Sequence, residues 1–153
     1  MSNAGPMDRE QIQDLHIRYG RGVDAGDMPL VRSCFTHDAT LQYDGPNGQP
    51  GLLMRWDEFL LFWQRMQAPM GCMHQFTNFT YDFVGGDCVY SCLAFAQHWP
   101  RNADFSREVT FCTAGVRYEN RARRTVEGWR IYEHRAKMRW FAGDADALWR
   151  SEG

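Results

Sequence analysis

No stretch of this chain approaches the ~18 consecutive apolar residues that a transmembrane helix needs. Met1 to Met7 contain neither a charged start nor an apolar run, so they do not read as a signal peptide. Cysteine is present without a framework: Cys34, Cys72, Cys88, Cys92 and Cys112 are odd in number and form no Cys-x-x-Cys pair. That spacing suits neither a disulfide scaffold nor a zinc site, and reduced thiols in a cytoplasmic setting are expected. Net charge is nearly absent as well, with 17 Lys and Arg against 19 Asp and Glu. The chain therefore carries no basic field for nucleic acid. No His-x-x-x-His, Glu-x-x-His or carboxylate cluster occurs at helical spacing, which removes the usual signs of a metal site. A Gly-x-Ser-x-Gly elbow is missing, and Gly20-Arg21-Gly22 falls inside a helical pattern instead of following a strand, so no dinucleotide cradle is spelled. The expectation is a protein that uses no cofactor and no metal.

What is plentiful is bulk. Aromatic residues make up 14% of the 153 residues, as six Trp, ten Phe and six Tyr, and eight Met join them. One domain is the prior for this length, and 44% hydrophobic with 24% charged residues is ordinary for a globular chain. The surplus of large, adaptable apolar side chains exceeds what a core needs and suits a lined cavity.

Periodicity divides the chain. Ile12, Leu15, His16, Tyr19 and Val23 recur at three- and four-residue steps, predicting a helix that starts at Asp8 and stops near Gly26. Asp8 is the expected N-cap, with Gln11 completing a capping box. Asp27 caps a second, short helix through Leu30, Val31, Cys34 and Phe35, with Pro29 in its first turn. Thr40 to Asp44 reads as a strand, Gly45 to Gly51 as a loop, and Trp56 to Met66 as a third helix, apolar on most of its circumference and so expected to be largely buried. The period then changes to two. Four long strands are predicted at Cys72–Val84, Cys88–Trp99, Glu108–Tyr118 and Trp129–Trp140, with a hairpin at Gly85-Gly86-Asp87 and a charged connection from Glu119 to Gly128. Residues 1–7 read as a tail or cloning remnant, 8–143 as one domain, and 144–153 as a tail laid on the surface through Leu148 and Trp149. Helices first and strands afterwards give an α+β fold: a curved, mostly antiparallel sheet with three helices from the N-terminal half, enclosing a pocket.

Two residues stand out as candidates for chemistry. Asp24 falls in the last turn of the first helix, where exposed carbonyls disfavour an acid by ~0.3–1 kcal/mol. Gly20 and Gly22 precede it, each costing about 1 kcal/mol relative to Ala in a helix. Such local rule-breaking is expected at functional sites, although a solvated turn is the plain alternative. His74 shares a strand face with Cys72, Phe76 and Asn78, a sequence of groups closer to a pocket wall than to a dry core. If the two meet, the carboxylate fixes the tautomer of the imidazole and raises its basicity, as a general base requires. His98, on the same face of the next strand as Ala94 and Ala96, is a second polar group for that pocket. His16, His37 and His134 read as structural. Arg117, Arg121, Arg123 and Arg124 read as a mostly solvated hairpin from which one guanidinium turns inward as a clamp.

Ile12-Gln-Asp-Leu15, Tyr19, Val23-Asp24 with Gly26-Asp27, Cys34-Phe35 with Asp38-Ala39, His74-Gln75 with Asn78, Gly128-Trp-Arg-Ile131 and Trp140 together resemble the SnoaL-like family of the nuclear-transport-factor-two-like superfamily of α+β cones. Within it the pattern is most similar to the branch of scytalone dehydratase and hexachlorocyclohexane dehydrochlorinase. The resemblance implies an Asp24–His74 pair in which His74 abstracts a proton, with Tyr19 as a phenolic donor where the dehydrochlorinase has a Lys. It implies a cofactor-free lyase or isomerase acting on a small apolar cyclic or aromatic molecule. The expected binding residues are Asn78, Phe59, Trp63, Met66, Phe76, His98 and Arg124. The fold also hosts ligand-binding modules without catalysis and the small subunits of ring-hydroxylating dioxygenases, so both remain alternatives. A homodimer or homotrimer is expected on the same analogy, with neither nucleic acid nor membrane as a partner.

Overall fold

The computed structural model describes residues 4–144. The expected surface tail through Leu148 and Trp149 lies outside the described residues. Helix α1 spans Asp8–Ala25, α2 Met28–Arg32 and α3 Trp56–Met66. The strands are β1 Phe35–Asp44, β2 Leu53–Met54, β3 Met70–Val84, β4 Asp87–Pro100, β5 Cys112–Thr125 and β6 Gly128–Ala142. They form one open sheet in the order β2-β1-β6-β5-β4-β3, antiparallel throughout except where β1 runs parallel to β6. The helices pack on its concave side, giving the α+β cone expected from the sequence.

The apolar stripe of α1 is its buried face: Ile12, Leu15, Tyr19 and Val23 are all within 3% of fully buried. Gly26, in the left-handed region at φ 70°, ends the helix. The two interior glycines have a packing reason. A Cβ on Gly20 would fall 2.3 Å from the Phe76 ring, and one on Gly22 would fall 2.7 Å from Val31. They let β3 and α2 approach α1 closely.

Several expectations are corrected. Asp8 does not cap α1; Met7 occupies the cap position without a side-chain bond. The Asp8 carboxylate is buried and accepts instead from the Gly5 amide and the Trp129 indole, and pairs with Arg124. The second helix ends at Arg32, and Phe35 already begins β1, which is twice the predicted strand. Asp27 does cap α2, through the Leu30 amide. Helix α3 has the predicted bounds but buries only one side, with Phe59 and Trp63 inside and Leu61 and Met66 exposed. The charged run after Glu119 is strand, not loop: Asn120 and Ala122 point inward, while Arg121 and Arg123 face Glu133 and Asp38. In exchange, residues 108–111 are not strand. The two-residue strand β2 carries too little pattern to be read from sequence.

All five cysteines are free and buried. Among the described residues no helix is long and apolar enough to cross a membrane.

Candidate functional site

The end of α1 meets the start of β3, and three bonds join them. His74 Nδ1 lies 2.6 Å from Asp24 Oδ1, the His74 backbone N–H donates to Oδ2 at 3.0 Å, and the Cys72 thiol donates to Oδ1 at 3.2 Å. Gly20 makes this junction possible one turn earlier, because the Phe76 ring lies against its bare backbone. Burial alone would raise the Asp24 carboxyl. The bond to the His74 ring, the charge of that ring, the backbone amide and the thiol outweigh it and hold the group below the ordinary carboxylate range. In the neutral form of the ring, an ionised Asp24 fixes the proton on Nδ1 and leaves the Nε2 lone pair for the cavity that His74 lines.

That cavity has a volume of about 400 Å³. Phe62 and Met66 of α3 form one wall, and Ala96, Ala114 and Ala136 on three strands form its floor. The small floor residues create the space, and Met70, Met138 and Phe141 make its remaining boundary apolar. Polar groups are few. His98 stands with its ring centroid 6.2 Å from that of His74, and its Nδ1 is buried without a partner. Burial, followed by the charge of His74, pushes His98 down to about 4, so it is neutral near pH 7. Tyr43 and Tyr118 also line the space, and the Tyr43 hydroxyl lies 2.8 Å from that of Tyr19. Burial raises the Tyr43 phenol, which keeps it protonated and able to donate. Asp44, at the rim, accepts from the Gly51 amide, Gln42 and Arg135.

The structure therefore brings together Asp24, His74, His98 and Met66 of the expected site. It separates others. Tyr19 is 2% exposed and stands behind Tyr43. Phe59 and Trp63 belong to the core behind the wall, Phe59 stacking on Tyr43 at 5.7 Å. Phe76 is wedged between α1 and His74, stacked on the imidazole at 5.8 Å, and does not line the cavity. Asn78 is exposed: it adopts φ 57° in a break of register between Thr77 and Thr80, so the strict alternation that placed it beside His74 ends there. Arg124 lies at the opposite end, over the Trp129 ring at 4.8 Å and paired with Asp8. Tyr43 and Tyr118 are site residues that sequence reasoning misses, although a signal exists for both. Tyr43 shares a strand face with Leu41, and Tyr118 with Ala114 and Val116.

Asp24, Cys72 and His74 are also a group whose potential metal-ligating atoms lie within 4.8 Å of one another. Their donor chemistry is already committed, since the thiol and Nδ1 both turn toward the same carboxylate oxygen.

The family model of the SnoaL-like domain matches residues 7–135. No curated protein is significantly similar to the chain in sequence. Among solved structures, a protein from Novosphingobium aromaticivorans assigned as an aromatic ring hydroxylase superposes with a TM-score of 0.77 at 24% identity, covering 95% of this chain and 99% of that one. A protein from the same organism assigned as a scytalone dehydratase gives 0.70 at 14% identity, covering 90% and 88%. A type 2 hexachlorocyclohexane dehydrochlorinase gives 0.70 at 19% identity, covering 89% and 88%. Identities this low establish a shared fold.

Proposed function

The chain belongs to the SnoaL-like domain family, and from that premise we propose that it is a cofactor-independent lyase or isomerase in which His74 is the general base. The observation that carries this reading is the 2.6 Å contact between His74 Nδ1 and Asp24, made at the wall of an apolar cavity. His74 Nε2 takes a proton from a carbon next to an electron-withdrawing group of a small cyclic or aromatic substrate. Asp24 orients the ring and stabilises the imidazolium that forms. The Tyr43 hydroxyl, backed by Tyr19, donates to the oxygen on which negative charge develops, taking the role expected of Tyr19. His98 Nδ1 accepts from a substrate hydroxyl, and Met66 contributes apolar wall. Loss of a leaving group from the neighbouring carbon completes an elimination, while return of the proton elsewhere completes an isomerisation.

Dehydratase and dehydrochlorinase structures among the neighbours support a lyase-type role. The outer sheet face, where Leu93, Phe95 and Trp140 are exposed, supports assembly with a second or third copy.

The test is proton exchange. Cyclic ketones and hydroxylated aromatic ketones, incubated with the protein in deuterated water, should incorporate deuterium at the activated carbon or eliminate. His74→Ala should reduce that rate by about 10²–10⁴-fold without unfolding the chain. If the variant keeps the rate, His74 is not the base. Ligand retention with no exchange by the parent protein would instead support the binding-module reading.

A further inference from the structure

Asp24 is held by more than His74. Both of its oxygens are occupied: the His74 backbone N–H is fixed on Oδ2, and Oδ1 is shared by the His74 ring and the Cys72 thiol. Cys72 precedes His74 by two residues, so period two aims both side chains at the same helix end. The Cys72 residue is 9% exposed. Burial, followed by the charge of Asp24, pushes the thiol well up, so it is present as S–H and acts as a donor. His74 alone holds both oxygens, through its backbone on Oδ2 and its ring on Oδ1; the thiol adds to the ring-facing oxygen a bond that does not come from His74.

We propose that Cys72 is a positioning residue of the Asp24–His74 pair, its S–H fixing the Asp24 oxygen that meets the imidazole and tempering the charge that this oxygen presents. The inference rests on the general-base reading of His74. Each donor on a carboxylate stabilises the anion and weakens its pull on a neighbouring proton. The thiol therefore lowers the basicity that Asp24 lends to His74 while holding the ring's partner in place. The surroundings allow this effect to be read. His98 on β4 faces His74, and His16 on α1 lies on the other side of Phe76; both have depressed pKa values, so both are neutral near pH 7. Arg101 acts on Cys72 as a distant positive charge. Asp24 is the full charge bonded to the ring.

Nuclear magnetic resonance titration of the His74 ring nitrogens needs no substrate and separates the two claims. In the full chain, Asp24→Asn should lower the His74 midpoint. Cys72→Ala should raise it by about half a pH unit, roughly threefold in proton affinity, and move the hydrogen-bonded Nδ1–H signal downfield as the untempered carboxylate binds that proton more strongly. Cys72→Ser, which keeps a donor, should restore both. Cys72→Val, which has bulk and no donor, should behave as the alanine variant does and carries the test if alanine disturbs packing. An unchanged midpoint and Nδ1–H signal in Cys72→Ala and Cys72→Val, with Asp24→Asn still effective, overturns the role of Cys72 and leaves the pair intact. An inert Asp24→Asn overturns the pair and the inference together.

Discussion

Gly20 shows how one atom's absence positions a site. Alanine there gains about 1 kcal/mol of helix propensity, but its methyl would lie 2.3 Å from a ring carbon of Phe76. Phe76 is stacked on His74 and edge-on to His16, so the ring has little room to retreat. Overpacking costs about 1–3 kcal/mol and outweighs the propensity gain. Gly20→Ala should lower the urea midpoint despite sitting in a helix; a higher midpoint would show that Phe76 yields freely. In the sequence the two glycines stand out as broken helix rules, and they point to the correct turn of the chain. What they accommodate is not legible there, because Phe76 and Val31 come from elements whose approach only the folded sheet determines.

At the scale of the strand, Asn78 governs the second half of β3. A register break with one residue at φ 57° lets Phe79, Tyr81 and Phe83 face the core after Phe76 has done so on the even positions. Deleting Asn78 puts Phe79 opposite Cys92 in an unbroken ladder and keeps all three rings on the core side, so the chain should still unfold cooperatively on heating; a loss of cooperativity would show that the break itself is required. Asn78→Val keeps the count but puts a β-branched residue in the left-handed region. It should cost about 1–2 kcal/mol, read from urea unfolding, whereas Asn78→Gly should be nearly neutral. If valine were equally neutral, the left-handed backbone would not be what holds the break. Period two is sufficient to predict that Cys72, His74 and Phe76 share a face, and a single asparagine gives too little warning that the phase changes. The charged half of β5 escapes sequence reading for a related reason. Its inward positions are filled by Asn120 and Ala122, so the alternation is present in burial and nearly absent in hydrophobicity.

For the molecule as a whole, three histidines on three elements tie stability to pH. His16 and His134 are in the core and His98 lines the cavity, and burial depresses all three, His98 to about 4 and His134 to about 3. In the unfolded chain each titrates near 6.5. Below that pH the unfolded chain binds protons that the folded one refuses, so stability falls as pH drops from about 6.5, by about 1.4 kcal/mol per pH unit for each excess proton. Asp24 acts in a lower window: its contribution is present above the unfolded carboxylate value near 3.9 and is lost as pH falls through its depressed folded value. Urea unfolding at pH 7, 6 and 5 should show the decline, and His134→Phe should flatten it by one proton. An unflattened slope would mean that His134 charges inside the fold. The order of helices and strands is enough to read the architecture, and the setting of Asp24 and His74 marks a pair worth testing. The parallel match of β1 with β6 leaves no local trace, since neither strand carries a mark of its partner.

That match has a consequence for biosynthesis. The ribosome makes β1 early and β6 last among the six strands, and β6 stands between β1 and the rest of the sheet. Until β6 emerges, β1 and β2, with α3 stacked on Tyr43 of β1, have no sheet to join. Contacts so distant in sequence close slowly, and the waiting edges are open to pairing with other nascent chains. Translation pauses before β6, or truncation before Gly128, should therefore recruit holding chaperones, because the strand that joins the two parts of the sheet is the last of the six to arrive.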